Sequence, residues 1–192
     1  DLFVIGGGSG GVRAARIAAE LGARVAIAVE DQVGGTCVVR GCVPKKLFVH
    51  SSHFAEAVED AVGFGWTVDG VAFDWATLRD NVRADVVWLS GIYIRNLERS
   101  GAELIRSRAV IEDRHTIRIL ADGRRVTAQY ILVATGGWPA LDRTVPGIER
   151  AVSSNEMFDL KTLPRRLLVV GGGYIAVEFA GVFNAFGVET TV

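Results

Sequence analysis

The sequence predicts a three-layer α/β fold with a parallel sheet, begun twice along its 192 residues. Three observations predict it. The chain opens with an apolar run, a glycine turn and a helix-spaced segment; the same order returns near its end; and two long amphipathic stretches between them need a sheet to pack on. Composition agrees, with 49% apolar and 22% charged residues, and 21 basic residues nearly balancing 22 acidic ones for a net charge of −1. Such a balance excludes disorder and a nucleic-acid electrostatic footprint. The longest uncharged stretch, Val126 to Leu141, is broken by Gly136, Gly137 and Pro139 and provides no membrane span. The expectation is a soluble protein without nucleic-acid or membrane partners. Glycine is the outlier: 23 residues, about 12% against a usual ~7%, gathered just after apolar runs.

Leu2 to Ile5 is a short apolar strand ending in Gly6-Gly7-Gly8-Ser9-Gly10-Gly11. Val12, Ala15, Ala18, Ala19 and Leu21 then keep helical spacing, Gly22 stops the helix, and Val25 to Val29 is a second strand. A helix is predicted from Pro44 to about Val62, with proline in the first turn where its missing N–H does no harm, and with Leu47, Phe54, Val58 and Ala61 facing inward. Another runs from an Asp74 cap to Gly101, since Trp75, Leu78, Val82, Val86, Leu89 and Tyr93 recur at three and four residues.

Between Glu103 and Ala134 the period changes to two. Ala109 to Ile111, Thr116 to Leu120, the turn Ala121-Asp122-Gly123, Val126, and Tyr130 to Ala134 predict antiparallel strands. Ser153 to Arg166 reads as a polar, irregular connection. Leu167 to Val170 is a strand entering Gly171-Gly172-Gly173, followed by a helix from Tyr174 to Phe186. Val188 to Val192 reads as a strand whose sheet is not otherwise encoded, and Asp1 begins almost inside a strand with no initiating Met. The expectation is therefore a portion of a longer protein: one domain over 1–142, a connecting segment over 143–165, and the start of a second domain over 166–192.

The first glycine loop carries chemistry. In Gly6-x-Gly8-x-x-Gly11, the first glycine makes a tight turn, the second lets backbone approach a pyrophosphate at the positive helix end, and the third allows close helix–strand packing. Glu30 ends the next strand about twenty residues on, where an acid accepts from a ribose hydroxyl. Strand, helix and acid together predict a Rossmann-like dinucleotide site. Gly171-x-Gly173-x-x-Ala176 repeats the frame. Two such units predict two nucleotides held facing each other, most simply a flavin and a nicotinamide.

The chain's two cysteines lie in Gly34-Gly35-Thr36-Cys37-Val38-Val39-Arg40-Gly41-Cys42-Val43-Pro44-Lys45-Lys46. A disulfide there would close a short loop and add only ~2 kcal/mol of stability, so stability is a poor reason for one. Cys42 falls at a helix start, where the dipole and nearby Lys45 favour negative charge on sulfur. Redox thiols and inert core thiols both stand as readings. A zinc site with His50 and His53 does not, because along one helix Cys42 and His53 lie about 16 Å apart.

At this motif the chain resembles the flavoprotein disulfide reductases, the glutathione reductases in particular. The resemblance runs through the Gly6 to Gly11 loop with Glu30, the cysteine block from Gly35-Thr36-Cys37 to Lys46, the segment Ile131 to Thr135-Gly136, and Gly171 to Glu178. Val39-Arg40, where Asn-Val is common, is similar to plant and some bacterial members. The resemblance implies FAD and NADPH as cofactors and glutathione disulfide as substrate. It implies that Cys42 faces the flavin, that Cys37 is the interchange thiol of a Cys37–Cys42 disulfide, and that Lys45 and Glu178 pair beside the ring. By the same route Gly35, Thr36, Thr135 and Gly136 contact FAD, Tyr174 covers the nicotinamide pocket, and Ser9, Arg16 and Tyr93 touch glutathione. Ala176 favours NADPH over NADH.

A homodimer and a cytoplasmic location are implied too, as is a His–Glu acid from the partner subunit that these residues do not contain. Dihydrolipoamide dehydrogenase and mercuric reductase usually carry Ser at the position of Lys45. Trypanothione reductase takes a cationic substrate, whereas Arg13, Arg16 and Arg40 suit the carboxylates of glutathione. Thioredoxin reductase shares the lysine pair but relies on a further redox centre. A flavin-linked redox sensor without a small substrate is the alternative outside the enzymes.

Overall fold

The computed structural model describes residues 1–192. In chain order the elements are β1 (Leu2–Ile5), α1 (Ser9–Glu20), β2 (Val25–Ala28), α2 (Gly35–Val39), α3 (Cys42–Gly63), α4 (Trp75–Ser100), β3 (Glu103–Ile105), β4 (Ala109–Ile111), β5 (Thr116–Ile119), β6 (Arg125–Thr127), β7 (Tyr130–Val133), α5 (Ser154–Met157), β8 (Arg166–Leu168), α6 (Tyr174–Ala185) and β9 (Glu189–Thr191). They form two compact units, Asp1–Cys42 with Asp85–Trp138, and Val43–Ala84 with Pro139–Val192.

The first unit is built on a parallel sheet of order β3-β2-β1-β7. Val4 lies beside Ile27 on one side and Leu132 on the other. Period two then decides the two faces. Val4 and Ile27 pack with Val12 and Ala15 of α1 and Leu97 of α4, whereas Phe3, Ile5, Ala28 and Ile105 meet Ile117 and Ile119 of β5. Three layers result: helices, parallel sheet, and the antiparallel sheet β4-β5-β6. Burying each Val, Ile or Phe here stabilises by about 1.5–3 kcal/mol.

Antiparallel pairing was expected through Ala134, but it ends at β6. β7 instead runs parallel to β1, and β3, which the alternation did not single out, runs parallel to β2. Period two shows which residues face a core. It does not say which strand lies alongside, because pairing direction is decided by the connection and the opposing layer.

The second unit holds β8 and β9 in parallel, with Leu167 beside Thr190, and α6 as their crossover. The final strand thus has a partner encoded in the chain, contrary to expectation. Aromatic rings fill the core: Phe48 lies 5.2 Å from Trp75 and 5.6 Å from Phe158, and Phe158 lies 5.1 Å from Phe179 between ring centroids. Trp75 Nε1 donates to the Leu160 carbonyl at 2.7 Å, satisfying the buried indole. The stretch expected to be irregular contains α5, held by a Ser153–Glu156 capping box, and it buries Met157 and Phe158. Its polar residues are the cap and its apolar ones the core. On α3 the buried stripe is Pro44, Phe48 and Ser52, and Phe54, expected inward, is 71% exposed. Periodicity selects a helix face but not how far along it a core extends. No helix is long and apolar enough to cross a membrane.

Candidate functional site

The carboxyl ends of β1, β2, β3 and β7 open onto a cleft of about 790 Å³ in the first unit. β1 lies between β2 and β7, so the chain leaves it for one neighbour and returns on the other, the position where open parallel sheets bind ligands. Gly8 is the N-cap of α1, and the unpaired N–H groups of that first turn favour an anion. Gly6 has φ +113, and a Cβ on it would lie 2.2 Å from the Ala134 carbonyl oxygen. Glu30, Thr36, Thr135 and Gly136 line the same cleft. A Cβ on Gly11 would lie 1.9 Å from the Gly6 carbonyl oxygen, the close helix–strand packing read from the motif.

Gly35 connects this cleft to the cysteines. Its φ is +62, and a Cβ on it would fall 2.4 Å from Gly8 Cα. Beside it, Gly34 N donates to the Gly7 carbonyl at 2.8 Å. This segment therefore starts α2 against the glycine loop, backbone to backbone. Cys37 is half-buried on α2, and Cys42 is exposed as the first residue of α3. The donor set fits a dinucleotide: a side-chain-free cradle at a helix start, with a carboxylate at the strand end. Glu30 accepts from Arg108 Nη1 at 3.5 Å.

One turn after Cys42 on α3, Lys45 Nζ donates to Glu178 Oε1 of α6 at 2.8 Å. The side chains are 28% and 35% exposed, and Glu178 Oε2 is buried without a hydrogen-bond partner. In the same unit, Gly171 turns with φ +129 after β8, and Gly173 is the N-cap of α6. Tyr174 is exposed on the first turn of that helix, and Ala176 follows within it. The β8, glycine loop, α6 and β9 sequence thus repeats the β-α-β order of the first unit.

Ser9, Arg16 and Tyr93 share a separate groove of about 580 Å³ in the first unit, together with Arg13 and Asn96. Arg16 Nη2 donates to Glu20 Oε1 at 3.4 Å, while its Nε is buried with no partner. Arg40, grouped above with these cations, lines the dinucleotide cleft instead. There it pairs with Asp31 and lies over the ring of Trp138, 5.0 Å from the centroid. Asp31, Trp138 and Arg108 were not singled out from sequence, because they come from segments whose approach no local spacing announces.

A family model described as pyridine nucleotide-disulphide oxidoreductase matches residues 1–192. The chain is 48% identical over 191 residues to a glutathione reductase of a Nostoc species, covering 100% of this chain and 41% of that protein. It is 44% identical over 203 residues to the chloroplastic/mitochondrial glutathione reductase of Pisum sativum, covering 100% of this chain and 36% of that protein. Among solved structures, the Cu(II) complex of the HOCl-induced flavoprotein disulfide reductase RclA from Escherichia coli matches with a TM-score of 0.83 at 27% identity, over 99% of this chain and 40% of that one. The chain therefore spans about two fifths of the length of the curated relatives it matches.

Proposed function

The chain belongs to the pyridine nucleotide-disulphide oxidoreductase family, and from that premise we propose that the whole protein reduces glutathione disulfide with electrons from NADPH, through FAD and a Cys37–Cys42 disulfide. The observation that carries this reading is the approach of Gly35 to Gly8, which seats the cysteine-bearing segment against the glycine loop of a dinucleotide cleft. On this reading residues 1–142 are the FAD-binding domain, 143–165 a connection, and 166–192 the start of the NADPH-binding domain.

Bound FAD would accept a hydride from NADPH and supply an electron pair to the sulfurs. The loop Gly6 to Gly11 and the start of α1 hold its pyrophosphate, Glu30 accepts from a ribose hydroxyl, and Gly35, Thr36, Thr135 and Gly136 shape the rest of the cleft. The Lys45–Glu178 pair holds a fixed positive charge for the ring. Gly171, Gly173 and Ala176 bind NADPH, with Tyr174 covering the nicotinamide position.

Once the pair is reduced, Cys37 attacks one sulfur of glutathione disulfide, forming a mixed disulfide and releasing one glutathione thiolate. Cys42 then attacks the Cys37 sulfur, releasing the second glutathione and restoring the Cys37–Cys42 bond. Ser9, Arg16 and Tyr93 hold the substrate, whose carboxylates suit Arg16. A His–Glu pair from the partner subunit of a homodimer protonates the leaving thiolate. A cytoplasmic enzyme fits this chemistry.

Rapid mixing of the complete protein with NADPH tests the reading. A long-wavelength thiolate–flavin absorbance should form and be discharged by glutathione disulfide, and Cys37→Ser should keep the band while losing turnover. A band that glutathione disulfide leaves untouched would mark a redox sensor, and no band at all a nucleotide-binding module.

A further inference from the structure

The guanidinium of Arg40 meets Asp31, nine residues back along the chain, and Trp138, from a segment far away in sequence. Arg40 is the C-cap of α2, between the two cysteines, and its own N–H donates to the Thr36 carbonyl at 2.9 Å. Its Nη2 pairs with Asp31, the residue after Glu30. Its plane lies over Trp138, on the loop that follows β7. Arg40, Asp31 and Trp138 all line the dinucleotide cleft. An exposed ion pair alone holds little, but a planar fork that both pairs with a carboxylate and rests on an indole face has its orientation set twice.

The cysteine segment is pinned differently at its two ends. Near Cys37 the backbone contact of Gly35 on Gly8 fixes it. Toward Cys42 the tether is the Arg40 side chain, 28% exposed against 63% for Asp31. We infer that Arg40 is a positioning residue for the cysteine pair, clamping the segment between Cys37 and Cys42 to the wall of the dinucleotide cleft through Asp31 and Trp138. The inference rests on the redox reading of that pair and adds to it which side chain sets the sulfurs' place.

The test uses the complete, FAD-loaded protein and the variants Arg40→Met, Arg40→Lys, Asp31→Asn, Trp138→Leu and Arg40→Met with Asp31→Asn. Three readouts are taken: the thiolate–flavin absorbance after one equivalent of NADPH, the rate at which iodoacetamide labels each cysteine of the reduced protein, read by peptide mass, and the melting temperature. Arg40→Met and Asp31→Asn should each weaken the band and change the labelling rate of Cys42, the end the side chain tethers, by about two- to fivefold, the range for one lost cation–π contact or ion pair, with Cys37 less affected. The double variant should go no further than the single ones, Arg40→Lys should restore part of the band, and Trp138→Leu should act in the same direction.

Wild-type absorbance and labelling in Arg40→Met, or a double variant that loses the sum of the two single effects, would overturn the clamp. Labelling that responds as expected in a protein showing no band would leave the clamp standing and sink the proposed electron route. Labelling and melting temperature together separate a displaced segment from a variant that fails to fold.

Discussion

Arg16 has an incomplete set of hydrogen-bond partners. Its Nη2 has Glu20 at 3.4 Å, but its Nε is buried and unpartnered in a groove shared with Ser9 and Tyr93. An unsatisfied buried donor costs about 1–3 kcal/mol, a cost that a bound carboxylate would remove. In the complete protein Arg16→Ala is therefore expected to raise KM for glutathione disulfide about tenfold or more, with flavin reduction by NADPH little changed. Steady-state kinetics beside rapid mixing checks this, and an unchanged KM would take Arg16 out of the site. Gly35 shows how much of a residue's role spacing reveals. The resemblance implied only that it contacts FAD, and only the fold shows that a side chain there would overlap Gly8 Cα.

At the scale of elements, α4 was legible from end to end, because its cap and its stripe are both local. Asp74 accepts from Thr77 N at 2.9 Å and Thr77 Oγ1 at 2.5 Å. These hydrogen bonds from Thr77 hold the carboxyl of Asp74 below its ordinary value of 3.8. A carboxylate held low in the folded state contributes stability that is present above its unfolded pKa and is lost as pH falls through the folded one. The melting-temperature difference between wild type and Asp74→Ala should accordingly be steady from neutral pH down to about 4, then shrink on further acidification. Glu112 and Asp113, also held low by their hydrogen bonds, remain in both proteins and cancel in the difference. A gap that widens in acid would contradict the cap. β3 and β7 were harder, since three or four residues of alternating pattern describe a half-buried strand equally well in a parallel or an antiparallel pair.

Over the whole molecule, each unit has its own core, and the second depends on a few aromatic rings. Phe183 is fully buried there, 5.7 Å from Trp75 and 6.3 Å from Phe179 between centroids. Phe183→Ala should destabilise by about 3–5 kcal/mol, the transfer and cavity cost of a buried Phe, read as a lower urea midpoint. A loss under about 1 kcal/mol would mean that the site collapses around the gap.

By itself the sequence determined the parts: two glycine frames, the cysteine block, the Asp74-capped helix and the strands that face a core. Each of these follows from residues within one or two turns of one another, where steric freedom, hydrogen-bond capacity and side-chain period act directly. Only the tertiary structure decided the direction of β3 and β7, the burial of Met157 and Phe158, and the meeting of Arg40 with Asp31 and Trp138. Those contacts join segments that no local pattern couples, and they exist because, within each unit, the sheet order and the packed layers bring separate parts of the chain together.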